Sequence, residues 1–120
     1  MENYPVLEKI TDLSYLTDVA AGDREFLFEL VETFIRQVSE FTDNMKLYLR
    51  EGKYELLAKE AHTAKSSVIL FGLHRLGSRL KEFQLLAQEM DRVESYPEYI
   101  AEFEETCRLA IEEIRESLDL

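Results

Sequence analysis

Apolar residues recur along this chain at alternating steps of three and four, the period of a helix that buries one face. The clearest run is Leu27, Leu30, Phe34, Val38, Phe41, Met45 and Leu49, which predicts a long helix capped by Asp23 and broken at Gly52. Before it, Ser14 reads as the N-cap of a short helix with Leu16, Val19 and Ala20 inward and Gly22 as its C′ residue. The first dozen residues carry no pattern, and Pro5 limits any early helix. A third helix spans about Lys53 to Phe71, with Leu57, Ala61, Ala64, Val68 and Phe71 on its stripe and Gly72 as the left-handed residue that ends it. The fourth buries Leu76, Leu80, Phe83, Ala87 and Met90. The last follows a capping box of Ser95 and Glu98, with Pro97 in its first turn, and buries Ile100, Phe103, Cys107, Ile111, Ile114 and Leu118.

No segment alternates with period two, and no repeat or second domain is visible. Four long amphipathic helices with short connections predict an all-α fold: an antiparallel up-down four-helix bundle with a short extra N-terminal helix, one domain over residues 1–120. No apolar run approaches the roughly 18 residues that span a bilayer, and the start of the chain lacks a secretory apolar region. A single cysteine excludes an internal disulfide. The expected compartment is therefore the cytoplasm, for a monomer without a membrane partner.

A net charge of −11 argues against a nucleic-acid partner, which needs a basic surface. The charge is uneven. Between Lys59 and Lys81 lie five basic residues (Lys59, Lys65, Arg75, Arg79, Lys81) and one acid, Glu60. Inside this segment sits His62. With about 100° per residue, His62 falls outside the buried stripe of its helix, on the outward side with Lys59, Lys65, Ser66 and Ile69. Ala58 and Ser66 lie one turn below and above it.

Several chemistries fail on residue supply. There is no glycine-rich phosphate loop among the four scattered glycines. A di-iron bundle needs Glu-x-x-His, but Lys59 and Phe71 stand three before the two histidines. Two histidines and one cysteine do not make a zinc site, so no metal is expected. Cys107 lies in an apolar stripe and reads as a small core residue, and His74 as a surface or helix-start residue. His62 with Lys65 differs. A histidine nitrogen accepts a phosphoryl group if it keeps its lone pair, and an imidazole with a pKa of about 6.5 is mostly neutral near pH 7. A lysine one turn away disfavours the imidazolium and offsets phosphoryl charge. On spacing alone, solvated His and Lys three apart remain the commoner explanation.

The run Ala61-His62-Thr63-Ala64-Lys65-Ser66-Ser67, with Gly72 ten after the histidine and Leu76 beyond it, resembles a histidine phosphotransfer (HPt) domain, whose usual pattern is Ala-His-x-Leu-Lys-Gly-Ser-x-x-x-x-Gly-x-x-x-Leu. Gly22-Asp23 before a helix with Phe26 and Phe34 also fits, so the resemblance covers nearly the whole chain. It implies that His62 accepts the phosphoryl group, that Lys65 stabilises it, that Gly72 terminates the histidine helix and that Gln84 orients the imidazole. Ala58, Lys59, Ser66 and Ile69 are then the expected docking surface for receiver domains. Ser66 in place of the usual Gly adds a hydroxyl beside the histidine, and Ala64 replaces a usual Leu. The implied activity is that of a carrier in a multistep phosphorelay, not an enzyme and without a cofactor of its own. The partner receiver supplies the aspartate and Mg²⁺, and a hybrid sensor histidine kinase stands upstream. The alternative is a helical adaptor whose histidine is incidental.

Overall fold

The structure, a computed structural model, describes residues 9–119, and Pro5 lies outside them. Those residues form α1 (Ser14–Ala20), α2 (Arg24–Arg50), α3 (Tyr54–Leu70), α4 (His74–Gln88) and α5 (Tyr96–Leu118), with a 3₁₀ turn at Val93–Ser95 and no strand among them. The chain is all-α in its described part.

Local chemistry starts and stops these helices. Asp23 caps α2 by accepting the Phe26 N–H at 3.0 Å, while Glu25 and Arg50 complement the dipole at the two ends. At the end of α3, Leu73 N–H donates to Val68 O and Gly72 N–H to Ile69 O. These paired bonds form a Schellman motif, with Gly72 at φ +73°. Glycine is required here twice over. A Cβ at Gly72 would collide with the Asp12 backbone, because Asp12 N–H donates to Phe71 O at 3.1 Å across that turn.

Packing closes a ring: α2 lies against α3 and α5, and α4 against α3 and α5, while α1 rests on α2. The stripe of α3 is fully buried, with Leu57, Ala61, Ala64 and Val68 all at 0 % exposure, and its two alanines let the neighbouring helices come close. Aromatic side chains fill the remaining space. Phe34 stacks on Phe71 with centroids 4.1 Å apart, and Phe83 meets Tyr96 edge-on and stacks on Tyr99. The buried apolar residues other than Ala20 form one continuous core. No helix among the described residues is long and apolar enough to cross a membrane.

Several expected details differ. Ser14 is not a cap. It is the first residue of α1, with Leu13 at the N-cap position, and the Asp12 carboxylate accepts its N–H and hydroxyl. A charged acceptor two residues upstream outcompetes a neutral hydroxyl, and these bonds hold the Asp12 carboxyl below the usual range. The turn after α1 goes left-handed already at Ala21 (φ +49°), before Gly22. Val19 is exposed, because α1 is short and buries only the row of Leu16 and Ala20. The box of Ser95 and Glu98 does not form. Ser95 has helical dihedrals in the 3₁₀ turn, and its hydroxyl donates to Arg92 O.

Met90 is the largest departure. It is 65 % exposed, not core, because α4 stops at Gln88 and the chain reverses through left-handed Met90 and Arg92. Tyr96 fills the space instead, its hydroxyl 2.8 Å from both Leu86 O and Asp91 O. Leu27, Leu30, Leu49, Ile111 and Leu118 are only partly buried, whereas Val31 and Ala110 belong fully to the core.

Candidate functional site

The helical period that buries Ala61 and Ala64 turns His62 outward, and the ring-bearing residue is exposed in the middle of α3. One side of it meets α4. There Gln84, only 9 % exposed, places Oε1 3.3 Å from His62 Nδ1. An amide oxygen can only accept, so with Oε1 toward the ring this contact is a hydrogen bond only in the imidazole tautomer protonated at Nδ1. Nε2 is then the nitrogen that keeps the lone pair. The ring borders a cleft of about 600 Å³ between α3 and the C-terminal end of α4, lined also by Ala58, Thr63, Gln84, Gln88 and Met90.

The remaining sequence candidates divide. Lys59 and Ser66 are exposed on the His62 face, and Lys65 is half-buried there. Ile69 is 38 % exposed, and its side chain also leans onto α4 at Gly77. Ala58 corrects an expectation. It is 2 % exposed, because α4 closes over this small side chain, so it is part of the cleft floor and not of an open surface. Elsewhere on α3, Glu60 accepts from Asn44 and the Ser67 hydroxyl donates to Gln37, which ties its far side to α2.

The basic segment does not form one patch. Arg79 turns to the opposite side of α4, where Nε donates to both carboxylate oxygens of Glu102 at 3.0 and 3.1 Å and the guanidinium lies 4.4 Å from the Tyr99 ring centroid. Partial desolvation works against its charge, but the Glu102 bonds outweigh that and raise the Arg79 pKa. Arg75 lines the same α4–α5 cleft. On the His62 side, neither Lys59 nor Lys65 has an ion-pair partner among the described residues.

Cys107 is fully buried, and burial pushes its thiol up to about 12, so it carries no thiolate near neutral pH. His74 is exposed at the first position of α4. Among the described residues no three His, Cys, Asp or Glu side chains are grouped to hold a metal. Sequence reasoning missed Gly77, Gln88 and Met90. Only Gly77 left a signal, as a glycine inside a helical pattern.

A sequence model of the Hpt domain family matches residues 29–119, from α2 to the end of α5. The chain therefore belongs to the Hpt domain family, the histidine phosphotransfer modules of two-component phosphorelays. Comparison with curated proteins and with solved structures gave no match.

Proposed function

We propose that this chain is a single, monomeric phosphotransfer domain whose acceptor is His62 and whose four long helices run up and down in antiparallel order. The observation that carries the assignment is an exposed imidazole whose Nδ1 faces the Gln84 amide oxygen at 3.3 Å. In this reading Nε2 attacks the phosphorus of an aspartyl phosphate on a receiver domain. An N–P bond forms, the P–O bond to the aspartate breaks, and the carboxylate leaves with the bonding pair. The ring then carries positive charge, and Gln84 Oε1 accepts from Nδ1–H and stabilises it. Attack by the carboxylate of a second receiver reverses these steps.

Lys65, half-buried one turn from the acceptor, offsets the charge of the phosphoryl oxygens. Lys59, Ser66 and Ile69 form the docking surface, and Gly72 terminates the helix that presents it. Receiver domains and a hybrid sensor histidine kinase in the cytoplasm are the partners. The chain is a carrier and not an enzyme. It holds no cofactor of its own, and Mg²⁺ belongs to the receiver.

The test is labelling by a phosphorylated receiver. His62→Gln keeps the fold to within about 0.5 kcal/mol, since an exposed helical site tolerates this change, and takes up no label. Label retained at the wild-type level places the acceptor elsewhere, and an unlabelled wild-type protein across a set of receivers favours a purely binding role.

A further inference from the structure

Gly77 stands inside α4, where glycine is the poorest helix former apart from proline. Its backbone does not need a glycine. It is absent from the positive-φ residues, and its N–H makes an ordinary helical bond to Leu73 O at 2.9 Å. The reason lies in what it faces. Gly77 is buried, and a Cβ there would lie 3.0 Å from Ile69 Cγ1, 3.3 Å from Ile69 Cδ1 and 3.9 Å from Lys65 Cγ. Both neighbours belong to the His62 side of α3.

The contact shares its register with the imidazole contact. From His62 to Ile69 is seven residues along α3, and from Gln84 back to Gly77 is seven residues along α4, two helical turns in each case. Ile69 over Gly77 and His62 beside Gln84 are thus two points on one helix–helix seam. The second is already near the limit of a hydrogen bond at 3.3 Å. A few tenths of an ångström added at the first point opens the second.

We infer that Gly77 is a positioning residue for the phosphotransfer site: by admitting Ile69 and the Lys65 stem against α4, it sets the helix separation at which Gln84 reaches His62 Nδ1. It touches neither the phosphoryl group nor the imidazole. This rests on His62 being the acceptor, and it adds the element that tunes the ring.

The imidazole tautomer gives a readout that a merely structural glycine would not move, and it requires no partner. Nitrogen-15 spectra of the His62 ring are recorded for the wild type, Gln84→Ala, Gly77→Ala and Gly77→Ala/Ile69→Ala. The wild type is expected in the Nδ1–H form. Gly77→Ala is expected to keep its helix, since alanine is the better helix former, but to move toward the Nε2–H form, as Gln84→Ala is expected to do. Removing the Ile69 side chain beyond Cβ takes away the two nearest atoms, so the double variant regains the wild-type tautomer. Transfer from a phosphorylated receiver is expected to fall about three- to tenfold in Gly77→Ala, as small misplacements of reacting groups do. A wild-type tautomer ratio in Gly77→Ala, a shifted ratio at an unchanged transfer rate, or no recovery in the double variant would each overturn the inference. A wild-type protein that accepts no phosphoryl group instead removes the functional assignment, and the tautomer result still reports on the seam.

Discussion

Cations lie on both sides of α4, and the fold uses them in opposite ways. Toward α5, Arg79 is paired with Glu102 and Glu82 and stacked on Tyr99. Its charge is spent within the fold, where it ties two helices together. Toward α3, the polar residue is neutral Gln84, and Lys59 and Lys65 on that face have no ion-pair partner among the described residues. An unpaired cation on a surface adds little to stability, but its field is available to an incoming anion. A cation matched to carboxylates in its own fold is screened from any visitor. The segment from Lys59 to Lys81, five basic residues and one acid in sequence, is thus divided in space, with Lys59 and Lys65 of α3 on the His62 side and Arg79 of α4 turned to Glu102.

Replacing a cation on each side would break this contrast or sharpen it. The largest effect is expected from Lys65→Ala, with phosphoryl transfer slowed about tenfold and the phosphohistidine shorter-lived, since one compensating charge is lost from a partly desolvated site. Arg79→Ala should leave the transfer rate within about twofold and lower stability by about 1 kcal/mol, the combined scale of a partly exposed ion pair and a cation–π contact. Single-turnover transfer and a urea melt on both variants decide the matter. Equal rates for Lys65→Ala and wild type make Lys65 an ordinary surface lysine, and a slowed Arg79→Ala shows that the two sides of α4 are not separate.

A smaller effect is expected at Gln84, whose 3.3 Å contact is long for a hydrogen bond. Gln84→Ala should slow transfer about three- to tenfold while labelling still goes to completion, because orientation is lost and the nucleophile remains. Tryptic mapping of the labelled protein checks that the phosphoryl group stays on His62.

The smallest effect concerns the strap that closes the far end of the fold. The Glu113 carboxylate accepts from the Ile10 and Thr11 N–H groups and the Thr11 hydroxyl. Desolvation pushes this carboxyl up, but the bonds from Thr11 and Ile10 outweigh it and hold the group below its ordinary value of 4.5. A carboxyl depressed in the folded state contributes stability above its unfolded value, and that contribution is lost as pH falls through the lower folded value. Exchange of the Thr11 amide hydrogen, corrected for its intrinsic pH dependence, should therefore accelerate below about pH 4.5. In Glu113→Gln it should be faster already at neutral pH and lack that acid step. Transfer at neutral pH should not change, as the strap does not touch the His62 face. An acid step that survives in Glu113→Gln assigns the transition to another carboxylate.

Much of this molecule was legible in the chain itself, because a helix writes its buried face into a period that any reader can count. The stripes from Leu57 to Phe71 and from Leu76 to Ala87, the Asp23 cap, the Gly72 stop and the outward angle of His62 all follow from rotation along one element. The run from Ala61 to Ser67 with Gly72 pointed to the family on residues adjacent in sequence. What single-helix periodicity could not contain was the relation between helices. Whether Ala58 is open or covered depends on what packs beside α3, and it is buried at the cleft it shares with Gln84, Ala87 and Gln88 of α4. Whether Met90 is core or rim depends on where Tyr96 seats its hydroxyl. Whether Arg79 faces the histidine or Glu102 depends on which side of α4 meets α5. Gly77 is the sharpest case. Its missing side chain matters only because Ile69 and Lys65 arrive opposite it from another helix, and a separation of a few tenths of an ångström between two helices is a property of their packing, to which neither sequence refers alone.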